Sequence, residues 1–236
     1  MNSSDPIIHD LEIMSQSLNY MDWIYSQFSP YIGERIVELG AGIGNFTRLL
    51  TQKEIVVPVD IYGPAVDYLN KRFADNDNIR PLEIDIEGSD IRGLKEYSPD
   101  TCICTNVLEH IDDDRLALLN MFETLKPGGH LALLVPAFQF AFGSIDRLVG
   151  HRRRYNRKDL SAKVIEAGFT LRSLHYMNFI ALPGWFINNR VLKLEKESIS
   201  QVLFFDRYIV PWLKKIENII SPPFGLSLVA ICEKKR

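Results

Sequence analysis

Val37-Glu38-Leu39-Gly40-Ala41-Gly42-Ile43-Gly44-Asn45 joins a short apolar strand to three alternating glycines and then to a pattern that reads as helix. A strand, a tight loop and a helix start in that order make a cradle for a nucleotide-like ligand. Glycines suit the loop because the backbone turns sharply and a ligand approaches where a Cβ would collide. The alternative is a loop that only turns the chain. Glu38 narrows the choice, because a carboxylate just before the first glycine repels the pyrophosphate that a dinucleotide fold holds at its helix N-terminus. Asn45 agrees, since it stands where the dinucleotide fingerprint has its third glycine. A ligand carrying a positive group fits better.

Working outward, apolar residues recur at helical spacing from Leu11 to Phe28, which predicts one helix ending near Ser29-Pro30 and covering the ligand. The pattern then alternates: strand 35–39, helix 44–52, strand 54–59, helix 63–74 and strand 79–84, followed by strand 101–105, helix 112–125 and strand 130–135. Such alternation predicts crossover connections, a parallel sheet and helices on both faces. After Pro136 an irregular stretch leads to helix 157–167, strand 169–176 and a final strand 226–232. With 236 residues and 46% hydrophobic content, the reading is a single domain over 1–236. It carries an N-terminal helical cover over 1–30 and an aromatic-rich insertion over 177–223.

A formal charge of −3 gives no general affinity for nucleic acid. The three cysteines make neither a disulfide framework nor a metal-ligand spacing, and Cys102 and Cys104 read as buried thiols on one face of a strand. No metal site is expected. Residues 1–10 lack the basic and apolar regions of a signal peptide, so a cytoplasmic protein is expected. The longest apolar run, 179–187, is far short of the roughly 20 residues of a spanning helix.

The stretch Glu38-Leu39-Gly40-Ala41-Gly42-Ile43-Gly44 resembles the first motif of the class I S-adenosylmethionine-dependent methyltransferases. Asn106-Val107-Leu108-Glu109-His110-Ile111 is similar to the motif that follows their fourth strand, and Leu125-Lys126-Pro127-Gly128-Gly129 to the turn before the fifth. The resemblance implies a Rossmann-like α/β fold with a seven-stranded, mainly parallel sheet and an antiparallel last strand. It implies S-adenosylmethionine as cofactor, held by Glu38, Gly40, Ala41, Gly42 and Asn45 of the first loop and by Tyr20 of the cover. Asp60 would accept bonds from the ribose hydroxyls, with Ile61 beside it against the cofactor; the alternative for Asp60 is a helix N-cap. Asp85 and Ile86 would meet the adenine, unless Asp85 is a strand-end carboxylate in water. Asn106 and Val107 would lie by the methionine part, and His110 either faces the substrate or is structural. Asp112-Asp113-Asp114 is read as capping and dipole complement for the helix that follows.

Asp146-Arg147-Leu148-Val149-Gly150-His151-Arg152-Arg153-Arg154-Tyr155 is the densest basic stretch of an otherwise acidic chain. It resembles a methyltransferase subgroup with a Gly-His-x-Arg-Arg-Tyr segment, found among enzymes of polysaccharide, lipid and natural-product assembly. There His151 would be the general base, since imidazole titrates near neutrality. Arg153, Arg154 and Tyr155 would hold an anionic acceptor; the alternative is a solvated loop or pairs with Asp146 and Asp159. The insertion either walls an acceptor pocket, leans on a membrane surface, or adds a packed layer. The expected activity is methyl transfer to a small or lipid- or sugar-linked acceptor, at oxygen before nitrogen. Its rivals are a Rossmann oxidoreductase or epimerase and a non-catalytic cofactor binder. Nucleic acid is not expected as a partner, because no Asn/Asp-Pro-Pro-aromatic motif follows the fourth strand. Oligomeric state is left open.

Overall fold

The computed structural model describes residues 5–194 and 199–235, so parts of the expected cover (1–4) and insertion (195–198) lie outside the described residues, as does residue 236. Seven strands form one sheet in the order β3-β2-β1-β4-β5-β7-β6. They are β1 Arg35–Leu39, β2 Ile55–Asp60, β3 Leu82–Glu83, β4 Thr101–Thr105, β5 His130–Pro136, β6 Thr170–Met177 and β7 Ser227–Glu233. The first five pair in parallel, and β7 enters antiparallel between β5 and β6. The central strands are apolar on both sides because helices cover both faces.

Alternate residues of each strand feed two cores. Val37, Val57, Cys102, Cys104, Leu131 and Leu133 pack with Leu118 and Met121 of α4 (Asp114–Thr124) and Leu160 and Val164 of α6 (Arg157–Glu166). Ile36, Val56, Ile103, Leu134 and Val229 pack with Trp23, Ile24 and Phe28 of α2 (Leu18–Phe28) and Val210 and Leu213 of α9 (Val210–Glu217). Cys102 and Cys104 are free, buried and on one face, and burial pushes both thiols far up.

Strand order reverses between β1 and β4, where ligands of such sheets bind at the carboxyl ends. Among the described residues the other α-helices are α1 (Pro6–Met14), α3 (Gly63–Arg72), α5 (Ser144–Leu148), α7 (Ala181–Phe186) and α8 (Ile199–Phe204).

Three elements differ from the sequence expectation. The single helix over 11–28 is two, α1 and α2, because Ser15-Gln16-Ser17 breaks the chain between them. Asp5 caps α1, but Ser17 makes no side-chain cap for α2. Asp206, from the insertion, accepts from the Asn19 and Tyr20 N–H groups instead. The helix expected over 44–52 is turns and a single 3-10 turn, Thr47–Leu49. Gly44 sits at φ +82°, outside helical geometry, and the Thr47 hydroxyl is tied to Glu38. The strand expected over 79–84 is only β3 plus an isolated bridge from Ile79 to Val56, since Pro81 between them has no N–H for the ladder.

Candidate active site at the carboxyl edge

The glycine loop is held by carboxylates at the ends of adjacent strands. Asp60 Oδ2 accepts from Gly42 N at 2.8 Å, and its Oδ1 accepts from Tyr62 N at 3.0 Å at the start of α3. Asp60 thus fixes the glycine loop and the residue that precedes α3 without capping the helix, whose N-cap is Tyr62, and it keeps lone pairs for a ligand hydroxyl. Gly40 is at φ +67°, and a Cβ there would lie 2.3 Å from Val107 Cγ2, so the β1 and β4 loops touch. Leu11 of α1 lies over Gly42, and Asn45 Nδ2 donates to the Leu11 carbonyl. Ala41 is buried beneath them.

Glu38 is buried and accepts from the Thr47 hydroxyl at 2.6 Å, the loop-anchoring geometry. Burial pushes its carboxyl up to about 8, the Thr47 hydrogen bond only partly opposing. The folded protein therefore keeps a proton that the unfolded chain releases near its ordinary value of 4.5, and stability falls as pH rises between these values. Glu38→Gln should flatten that fall by about 1–3 kcal/mol between about pH 5 and 8 in urea unfolding. Parallel stability curves for the two proteins would refute the assignment.

Asp85 is exposed and accepts from Glu87 N at 2.9 Å, whereas Ile86 is buried in the core with its carbonyl bound by Asn120. Ile61 is exposed at the end of β2 and free to pack on a planar ligand. Asn106 is exposed at φ +53°, and Tyr20 packs edge-on against Trp23 beside the Asp206 cap.

On the far side of the switch point, the loop after β5 folds back onto the loop after β4. Asp146 is wholly buried at its centre. It accepts from Arg154 Nε at 2.8 Å, Asn189 Nδ2 at 2.6 Å and Gly143 N at 2.9 Å, and bonds His151 Nδ1 at 2.8 Å. Burial alone would raise this carboxyl, but the His151 bond and the Arg154 guanidinium outweigh it and bring it to about 2. An ionised Asp146 only accepts, so the proton of His151 sits on Nδ1 and the Nε2 lone pair faces away from Asp146. That Nε2 lies 3.7 Å from Glu109 Oε1. The His110 ring meets the His151 ring edge-on at 4.7 Å. Partial desolvation lowers His110 to about 4, with the Arg152 charge adding to it, and burial raises Glu109 to about 8.

The three residues expected to bind the acceptor all have partners within the protein. Tyr155 is wholly buried, donating from its hydroxyl toward Asp114 at 2.8 Å and the Leu108 carbonyl at 3.1 Å. Arg154 is buried on Asp146, with its guanidinium over the Trp185 ring. Arg153 pairs with Asp114 at 2.9 Å and donates to the Asp112 carbonyl. An arginine run beside a buried acidic pair is neutralised internally, so these side chains clamp the two histidine-bearing loops together. Asp114 is likewise more than a dipole complement: it is buried and also binds Lys163 at 2.7 Å. Asp113 is the N-cap, as read from sequence. Asp146 as a hub, Asn189, Asp206 and the burial of Glu109 were missed; the only sequence signal was a carboxylate set among apolar residues.

The fold is Rossmann-like, with its ligand edge at the carboxyl ends of β1 and β4. Residues 37–133, from β1 into β5, match the family model described as a methyltransferase domain. An uncharacterized methyltransferase-like protein of Schizosaccharomyces pombe, C25B8.10, is 32% identical over 116 residues, covering 48% of this chain and 42% of that protein. The chain therefore spans less than half the length of this relative. Among solved structures, the [4+2]-cyclase SpnF superposes with a TM-score of 0.62 at 15% identity, covering 92% of this chain and 81% of that one. The N-methyltransferase NodS of Bradyrhizobium japonicum, in complex with S-adenosyl-L-homocysteine, gives 0.56 at 15% identity, covering 100% of this chain and 91% of that one. These structures share the fold.

Proposed function

We propose that this protein is an S-adenosylmethionine-dependent methyltransferase acting at oxygen on a small or lipid-linked acceptor. The observation that carries the reading is the row of acids, Glu38, Asp60 and Asp85, around a glycine loop at the switch point, with all three and the loop inside the segment that matches the methyltransferase model. Asp60 has lone pairs for ribose hydroxyls, Asp85 for the adenine amino group, and Ile61 an exposed apolar side chain for the ring. Asn106, exposed beside Val107 at the same edge, would meet the rest of the cofactor. When bound, the cofactor supplies a methyl group on a sulfonium. The chain's work is then to align the acceptor, exclude water and take its proton. His151 Nε2 takes that proton, and Asp146 stabilises the imidazolium that forms.

Calorimetric titration with S-adenosylhomocysteine should give micromolar binding, weakened in Asp60→Ala by about 1–3 kcal/mol, the cost of lost buried hydrogen bonds to a ligand. No binding overturns the reading. Tight binding with no transfer to any extract would leave a non-catalytic cofactor binder.

The insertion supports the lipid-linked form of the acceptor. Phe204, Tyr208, Trp212, Ile216, Ile219 and Ile220 are all exposed. On α9 this outward stripe is opposite the buried Val210 and Leu213. Arg207 stacks on Tyr208 and Lys215 on Trp212, the pairing of cations and aromatics that suits an anionic lipid surface. Nearby acids are engaged: Asp206 caps α2, and Glu217 accepts from Asn178 N and Phe179 N. Among the described residues no helix is long and apolar enough to cross a membrane, so the contact is peripheral. The protein should co-sediment with anionic but not zwitterionic vesicles, and Trp212→Glu/Ile216→Glu should weaken this about tenfold or more. Protein left in the supernatant with both vesicle types would refute the membrane contact.

A further inference from the structure

Glu109 and His110 come from the turn after β4, and His151 from the loop after α5. Tertiary contacts bring one donor atom from each within 4.8 Å of the others. Glu109 is the informative member, because it is wholly buried and neither carboxyl oxygen has a hydrogen-bond partner. Buried polar groups are satisfied almost without exception in folded proteins, so an orphaned carboxyl aimed at two imidazoles calls for a cation. The surroundings are built for one. Asp146 fixes His151 through Nδ1 at 2.8 Å, the carboxylate–histidine arrangement that orients a metal-bound ring. Arg154 and Asn189 hold Asp146 in turn, and Arg152 donates from its backbone N–H to the Glu109 carbonyl at 2.8 Å and from its side chain to the His110 carbonyl at 2.7 Å. Both loops that carry donors are thus fixed from behind.

We propose that Glu109, His110 and His151 form a site for a divalent transition-metal cation of the zinc class. Two imidazoles and one carboxylate suit zinc, cobalt or ferrous ion and not magnesium or calcium, which take oxygen donors. Bonds of about 2.0–2.1 Å in a tetrahedral shell place donors about 3.3 Å apart, so side-chain shifts of about 1 Å close the site around an ion. The fourth position is left for water. This inference rests on the proposed function at one point: the ion occupies the His151 Nε2 lone pair that would take the acceptor's proton. Ion and proton compete for it, and the loaded protein transfers methyl groups to hydroxyl acceptors more slowly.

The test uses full-length protein without a histidine tag, treated with chelator and titrated with Zn²⁺ by calorimetry and with Co²⁺ by visible absorption. One equivalent should bind, with the intense visible bands of four-coordinate cobalt, and a large excess of Mg²⁺ should not displace it. Glu109→Gln and His110→Ala should each weaken binding tenfold or more while leaving S-adenosylhomocysteine affinity unchanged, which shows that they fold. No binding, or binding unchanged in both variants, overturns the site. Methyl transfer that rises when zinc is added overturns the competition at His151. The ion titration reads no turnover, so failure of the methyltransferase reading leaves it standing, and cofactor binding without ion binding overturns this inference alone.

Discussion

Asp146→Ala is expected to lose about 3–5 kcal/mol of stability and all measurable methyl transfer. Its side chain holds Arg154, His151, Asn189 and the Gly143 N–H together with no exposure of its own. Removing it leaves a buried guanidinium without its counter-charge and frees the His151 ring to take the wrong tautomer. Because its carboxyl is held at about 2 against an ordinary 3.8, the stabilisation is complete above that ordinary value and fades only as pH falls through about 2. Asp146→Asn keeps the shape and removes the charge, so it should fold better than the alanine variant and still lack turnover. Urea unfolding and a single-turnover assay measure the two effects. Stability within about 1 kcal/mol of the parent in Asp146→Ala would show that the hub does not hold the loop.

Gly40→Ala is expected to cost about 2–4 kcal/mol and to weaken S-adenosylhomocysteine binding more than tenfold. The left-handed backbone at φ +67° is strained for any residue with a Cβ, and that Cβ would overlap Val107 Cγ2 at 2.3 Å. Relief requires the β1 and β4 loops to separate where the cofactor would sit. Gly93→Ala is the matched control. A Cβ there meets nothing within 4 Å, so its stability should stay within about 0.5 kcal/mol of the parent. Equal behaviour of the two variants would remove the close approach of the loops as an explanation.

Much of the fold was legible because strand and crossover patterns are local. The β1, β4 and β5 runs are short, largely apolar segments next to Gly or Asn, and their expected limits match to within a residue. The helix after the glycine loop was misread because apolar spacing around Phe46 and Leu50 mimics helical periodicity. The hydrogen bond from Thr47 to Glu38 and the φ of Gly44, which prevent a helix, are not visible in spacing. The arginines were only partly legible for a related reason. The pair with Asp146 was legible as an alternative because it is local, whereas Asp112 and Asp114 reach Arg152 and Arg153 only through the fold.

The sequence by itself determined the alternating strand–helix order, the glycine loop with its acid at the end of β1, and the positions of Asp60 and Asp85 at the ends of their expected strands. Each follows from residues adjacent in the chain, where pleat, turn geometry and backbone freedom act directly. Only the tertiary structure decided that Glu109, His110 and His151 share one site, that Asp206 caps a helix far away in sequence, and that Tyr155 is a strut. These depend on which loops the sheet brings together at its carboxyl edge, and burial there sets both the partners and the protonation of the side chains involved.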